Sequence, residues 1–190
     1  MLDNKQIRML ELLDSSILRC KNCELYNGGK VLPYWTSLSK YVIIGEAPGK
    51  EEVENNEPFI GKSGIILWAI MGKYGFRKEE FLIINSVQCM PIDGEKNLTK
   101  WNVLQCKQIW RKYIKVINPL RMITFGDYGT GAIDGEYRGT IRKNSRGECS
   151  REFDDMEYVT SVHPSYCIYN SKSGPLLLEQ SIKKLRKMGQ

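Results

Sequence analysis

No apolar run in this 190-residue chain approaches the length of a membrane span; the most apolar helix-like stretch, GIILWAIMG, is too short. The N-terminus lacks the apolar core of a secretory signal, because Asp3 and Glu11 stand where it would lie. A soluble intracellular protein is therefore expected, cytoplasmic or nucleoid-associated, with no membrane partner. Internal repeats and low-complexity tracts are absent as well. That leaves one globular domain over residues 1–190, long enough for a sizeable core and expected to be a monomer. Histidine is nearly missing, with His163 the only one. A second tight Cys-x2-Cys pair, which a zinc ribbon would need, is missing too.

What is present describes an ordinary globular composition, 42% hydrophobic with both charge signs. A net charge of +6 and a pI near 8.9 suit a polyanion such as nucleic acid, but also an ordinary solvated surface. Six cysteines in an intracellular chain point to reduced thiols or a metal site rather than disulfides.

The chain alternates strand-like and helix-like segments. Ile7, Leu10, Leu13 and Ile17 fall at helical spacing between Asn4 and Leu18. Residues 27–40 carry Gly and Pro and read as a loop. YVIIG and FLIIN are short apolar runs that read as buried strands; RMITFG and EYVTSV supply a third and a fourth. Helices are predicted over GIILWAIMGKYG, over NVLQCKQIWRKYIKVI as far as Pro119, and over PLLLEQSIKKLRKM with its basic end. This alternation predicts an α/β fold, a parallel sheet covered by helices on both faces. Glu46, Asn85 and His163 each follow a strand, where ligand crevices of open α/β sheets lie. Residues 135–155, with Arg138, Arg142, Lys143, Arg146 and Arg151, read as an exposed loop or hairpin, either solvated or phosphate-contacting.

Cys20 and Cys23 form a Cys-x2-Cys pair, while Cys89 follows the second strand and Cys106 lies in a helix. Four thiolates drawn from distant segments can hold zinc or an iron–sulfur cluster. Equally, Cys89 and Cys106 read as buried core thiols. Spacing alone leaves both readings open.

Taken in order, GEAPGKEEVENNEPFIGKSG, FLIINSVQCMP, Cys106 ahead of INP, MITFG and SVHPSYC resemble family 4 uracil-DNA glycosylases. These are the iron–sulfur members of their superfamily, and the resemblance runs from Cys20 to about Ile168. It implies a three-layer α/β/α sandwich around a four-stranded parallel sheet. It implies a [4Fe–4S] cluster on Cys20, Cys23, Cys89 and Cys106. It also implies excision of uracil from DNA in base excision repair, with Phe59 stacking on the flipped base, Asn85 reading its edge and His163 in the second motif.

The chemistry suits these residue types. An extruded base loses its stacking, and an aromatic ring restores about 1–3 kcal/mol of it. Asn85 presents a donor and an acceptor that match uracil O4 and N3–H, a pattern that cytosine reverses. Backbone N–H groups of Glu46, Ala47 and Gly49 can meet a uracil carbonyl, whereas Pro48 has none. A His163 donor near O2 stabilises charge that develops on the leaving base. Some relatives carry an Asp where this chain has Ala47, so the nearest carboxylate, Glu46, is taken as the water-handling group. Each residue alone also has a structural reading: a core Phe, a strand-end Asn, a turn His.

Three stretches depart from the family's pattern. Met90 stands where an Arg is common, with Asp93 and Glu95 after it, and Asn56-Glu57 replaces Gly-Arg. Cys167 takes the place of the Leu that wedges into duplex DNA, with Tyr166 or Ile168 as alternatives that the sequence does not decide between. A small wedge predicts a preference for single strands or mismatches over paired uracil. The alternative is a non-catalytic module of the same fold that binds DNA or a replication or repair partner. The chemistry of a covalent subgroup that traps DNA through a histidine on an inserted basic loop is not expected, since His163 is the only histidine.

Overall fold

The structure is a computed structural model that describes residues 1–91, 98–135, 137, 150–153 and 156–188, with 150–152 described by backbone alone. Five strands occur: β1 (Tyr41–Gly45), β2 (Phe81–Asn85), β3 (Arg121–Phe125), β4 (Ser150–Phe153) and β5 (Met156–Ser161). Strands β2, β1, β3 and β5 lie side by side in that order and run parallel, as the alternation predicts. Short β4 adds antiparallel to the β5 edge, so Arg151 falls in a hairpin strand. Arg138, Arg142, Lys143, Arg146, Asp93, Glu95 and Cys149 lie outside the described residues.

The helices are α1 (Asn4–Arg19), α2 (Lys50–Asn55), α3 (Lys62–Lys73), α4 (Lys100–Ile117), α5 (Gly126–Asp134), α6 (Tyr166–Tyr169) and α7 (Gly174–Lys187). Period-two alternation divides each strand between two cores. Val42, Ile44, Leu82 and Ile84 face α1 and α4, with Leu10, Trp110 and Tyr113. Tyr41, Ile43, Phe81 and Ile83 face α3 and α7, with Leu67, Leu178 and Ile182. Burial on both faces explains why these strands read as unbroken apolar runs.

Local signals mark most helix ends. Asp3 caps α1 by accepting the Gln6 N–H at 2.8 Å, and α4 stops at left-handed Asn118 ahead of Pro119. Asp14 of α1 accepts the Tyr113 hydroxyl of α4 and the Trp35 indole N–H, which fastens the loop 27–40 to that layer. Among the described residues no helix is long and apolar enough to cross a membrane.

Helix α5 was not foreseen, because Gly126, Gly129 and Gly131 lower its helix propensity. Packing reverses that preference. A Cβ on Gly129 would lie 2.7 Å from the Ile44 carbonyl oxygen, so glycine lets α5 lie directly on the β1 backbone. Chain order reverses around β1, with β2 on one side and β3 on the other, and this is where a crevice opens at the carboxyl ends of the strands.

Candidate active site

That crevice is a cavity of about 550 Å³, within the ordinary range of ligand pockets. Glu46, Ala47, Gly49, Phe59, Asn85 and His163 all line it, so the strand-end residues singled out in the sequence do converge. The β1–β2 register pairs Gly45 with Asn85. A Cβ at Gly45 would stand 2.3 Å from Asn85 Oδ1 and 2.8 Å from Phe59 Cζ. Glycine at 45 therefore permits the amide and the ring to meet on the pocket floor. Asn85 is 3% exposed, and among the described residues its side-chain amide makes no hydrogen bond. An amide that lines a cavity without a protein partner has its donor and acceptor available to a ligand.

Phe59 adopts a left-handed backbone, φ 55°, unusual for a bulky residue. Its ring packs at 5.9 Å from both Phe125 and His163. The Glu52 carboxylate accepts the Phe59 N–H and, at 2.6 Å, the Gly49 N–H. Burial pushes the Glu52 carboxyl up, against the pull of those two bonds and of Lys78.

His163 Nδ1 lies 3.2 Å from the Ser165 N–H and 2.7 Å from the Ser165 hydroxyl. A backbone N–H can only donate, so Nδ1 is an acceptor and the imidazole proton sits on Nε2. Burial pushes the imidazole pKa down to about 4. At neutral pH the ring is an uncharged Nε2–H donor. Glu46 Oε1 accepts the Tyr128 N–H at 3.2 Å in the first turn of α5. It also lies where a Gly126 Cβ would be, 2.1 Å from that position. The α5 N-terminus thus holds this carboxylate in place at the rim of the cavity.

The four cysteines of the motif are free thiols, Cys89 and Cys106 buried and Cys20 and Cys23 partly so. Burial, with Cys23 and Cys20 nearby, pushes the Cys89 thiol up to about 11. Burial, with the other three near it, pushes Cys106 up to about 12. Lys30 Nζ donates to the Leu18 and Cys20 carbonyls at 2.9 and 2.8 Å, and residues 30 and 89 form a β-bridge. Among the described residues no group of three or more His, Cys, Asp or Glu side chains is placed to hold a single metal ion.

A family model described as the uracil DNA glycosylase superfamily matches residues 33–186. The chain belongs to that superfamily. Relatives named type-4 uracil-DNA glycosylase include one from Thermotoga maritima, 27% identical over 85% of this chain and 84% of its own length. Another, from Archaeoglobus fulgidus, is 26% identical over 95% of this chain and 94% of its own. A third, from Sulfurisphaera tokodaii, is 25% identical over 94% and 84%.

Against the superfamily's motifs, two residue assignments change. Gly49 lines the cavity, but its N–H is spent on Glu52, so it is a wall rather than a donor to a carbonyl. The Ala47 N–H is left, with no hydrogen-bond partner among the described residues. Cys167 is only 4% exposed and packs in the α3–α7 core, so it cannot reach into a duplex. The exposed apolar side chains beside it are Ile168, at 44%, and Tyr169, at 86%. Sequence reasoning missed Glu52, Ser165 and Tyr128. Only Glu52 carried a signal, since Gly49 and Glu52 have the spacing of a capping box. Glu57, which replaces a family Arg, is ion-paired with Lys78.

Proposed function

We propose that this protein is an intracellular uracil-DNA glycosylase of the type-4 kind, acting as one domain, that hydrolyses the N-glycosidic bond of flipped-out uracil in base excision repair. The observation that carries the reading is that Asn85, whose amide has no protein partner among the described residues, lines one cavity with Phe59 and His163. Asn85 Nδ2 donates to uracil O4 and Oδ1 accepts N3–H. Phe59 replaces the stacking that the base loses on extrusion. The Ala47 N–H, without a partner among the described residues, donates to a carbonyl of the base.

Cleavage proceeds through an oxocarbenium-like state as the C1′–N1 bond lengthens and negative charge builds on uracil. His163 is neutral and donates Nε2–H to O2. With its pKa near 4 it holds the charge by hydrogen bonding rather than by delivering a proton. An oxocarbenium ion needs only a weak nucleophile. Glu46, held at the α5 N-terminus, therefore orients the water more than it deprotonates it.

The test is single-turnover excision of uracil from a single strand and from a duplex with uracil opposite A. Tyr169 and Ile168 take the place that sequence reasoning gave to Cys167, filling the gap left by the base. Excision from the single strand is expected for the wild type. Tyr169→Ala is expected to slow the duplex reaction about tenfold and leave the single strand within about twofold, since only the duplex has stacking to lose. No free uracil from either substrate would refute the glycosylase reading. It would favour the alternative, a DNA- or partner-binding module of this fold in replication or repair.

Cys20, Cys23, Cys89 and Cys106 fit a [4Fe–4S] cluster. They are an all-thiol donor set, with Cys89, Cys23 and Cys20 near enough to Cys106 to raise its pKa. The cluster would tie the segment after α1 to the β2 loop and to α4. Thiols with pKa values raised this far ionise when iron takes the place of the proton. Anaerobically purified protein is expected to be brown with about four irons per chain. Stoichiometric zinc without iron would be the opposite result.

A further inference from the structure

We propose that Glu52 is a positioning residue whose two carboxylate oxygens, one on the Gly49 N–H and one on the Phe59 N–H, hold the base-stacking ring of Phe59 in place. Capping the first turn of the short helix α2 would need only the first bond. The second, to a residue beyond the end of α2, serves no helix. It fixes the peptide of a bulky residue in a left-handed conformation, φ 55°, which other contacts must maintain.

Further contacts hold the next peptide, at the carbonyl of the same residue. Trp68 Nε1–H donates to the Phe59 carbonyl at 3.2 Å. Gly64 makes room for that carbonyl, since a Cβ there would come within 1.8 Å of its oxygen. Lys78, paired with Glu57, sits 5.7 Å from the Trp68 ring. Upstream, left-handed Asn56 accepts the Leu32 N–H on Oδ1 at 3.0 Å. Glu52 thus joins the Gly-Glu-Ala-Pro-Gly turn, which walls the pocket, to the loop that carries its stacking ring. Without it the turn and the ring can move independently, and fewer extruded bases meet Phe59 and Asn85 together.

The effect on catalysis rests on the glycosylase reading, so one readout is independent of activity. In Glu52→Ala, amide exchange at Phe59 N–H, followed by NMR, is expected to accelerate at least about tenfold, and the Trp68 indole resonance to shift. Single-turnover uracil excision is expected to fall about 30- to 100-fold, with affinity for an abasic-site oligonucleotide within about threefold of wild type. Glu52→Gln retains one carbonyl acceptor and is expected to fall less. Unchanged Phe59 exchange with excision within about threefold of wild type in Glu52→Ala would overturn the proposal. So would a loss of rate in both variants that only follows the folded fraction in a urea titration. A wild-type protein inactive on uracil would sink the glycosylase reading, while the exchange data would still decide what Glu52 does.

Discussion

Replacing His163 with alanine is expected to slow single-turnover excision of uracil by about 10²–10³-fold, the usual loss when one donor to a developing anion is removed. Affinity for uracil-containing DNA should stay within a few-fold, because a donor to O2 gains strength only as charge develops on the leaving base. The Ser165 N–H fixes the tautomer, leaving Nε2–H as the donor. Since the ring carries no charge above about pH 4, the excision rate should be flat from pH 5.5 to 8. An ordinary histidine acting as an acid would instead lose rate as pH rises through its usual pKa of about 6.5. A fall of that kind in the wild type, or full activity in His163→Ala, would remove His163 from the role.

The same residue links stability to pH. The folded pKa, about 4, lies below the ordinary value of 6.5, so the unfolded chain binds the proton more readily. The contribution of His163 is intact above pH 6.5 and is lost as pH falls from there towards 4. Because the ring is part-buried and solvent screens it, the loss stays below the roughly 3.4 kcal/mol of the full shift. Urea titrations at pH 7 and pH 4.5 should show a smaller acid loss for His163→Gln than for the wild type.

Asn85→Asp is expected to reduce uracil excision by at least about 10²-fold and to lower the preference for uracil over cytosine. A carboxylate there keeps the acceptor for N3–H but places a second acceptor against uracil O4. At 3% exposure water cannot relieve that contact. Single-turnover excision from oligonucleotides containing uracil or cytosine measures both effects. Wild-type rate and selectivity in the variant would mean that Asn85 does not read the base.

Much of this was legible in the sequence. The β1 and β2 runs, YVIIG and FLIIN, match their strands residue for residue, because strands buried on both faces must be apolar throughout. From them followed the parallel sheet and the placing of Glu46, Asn85 and His163 at one end of it. Cys167 shows the limit of such reasoning. Position along the chain marks it as the wedge, but a one-residue difference in direction buries it and exposes Ile168 and Tyr169.

The sequence by itself determined the fold class, the strand ends that bear the site and the residue types gathered there, since hydrophobic periodicity and turn chemistry are local. Only the tertiary structure decided that α5 forms despite its glycines, that Glu52 rather than the pocket takes the Gly49 N–H, and that burial holds His163 neutral with its proton on Nε2. Each depends on atoms brought close from other elements. Hydrogen bonding and desolvation act on distance in space, which spacing along the chain does not encode.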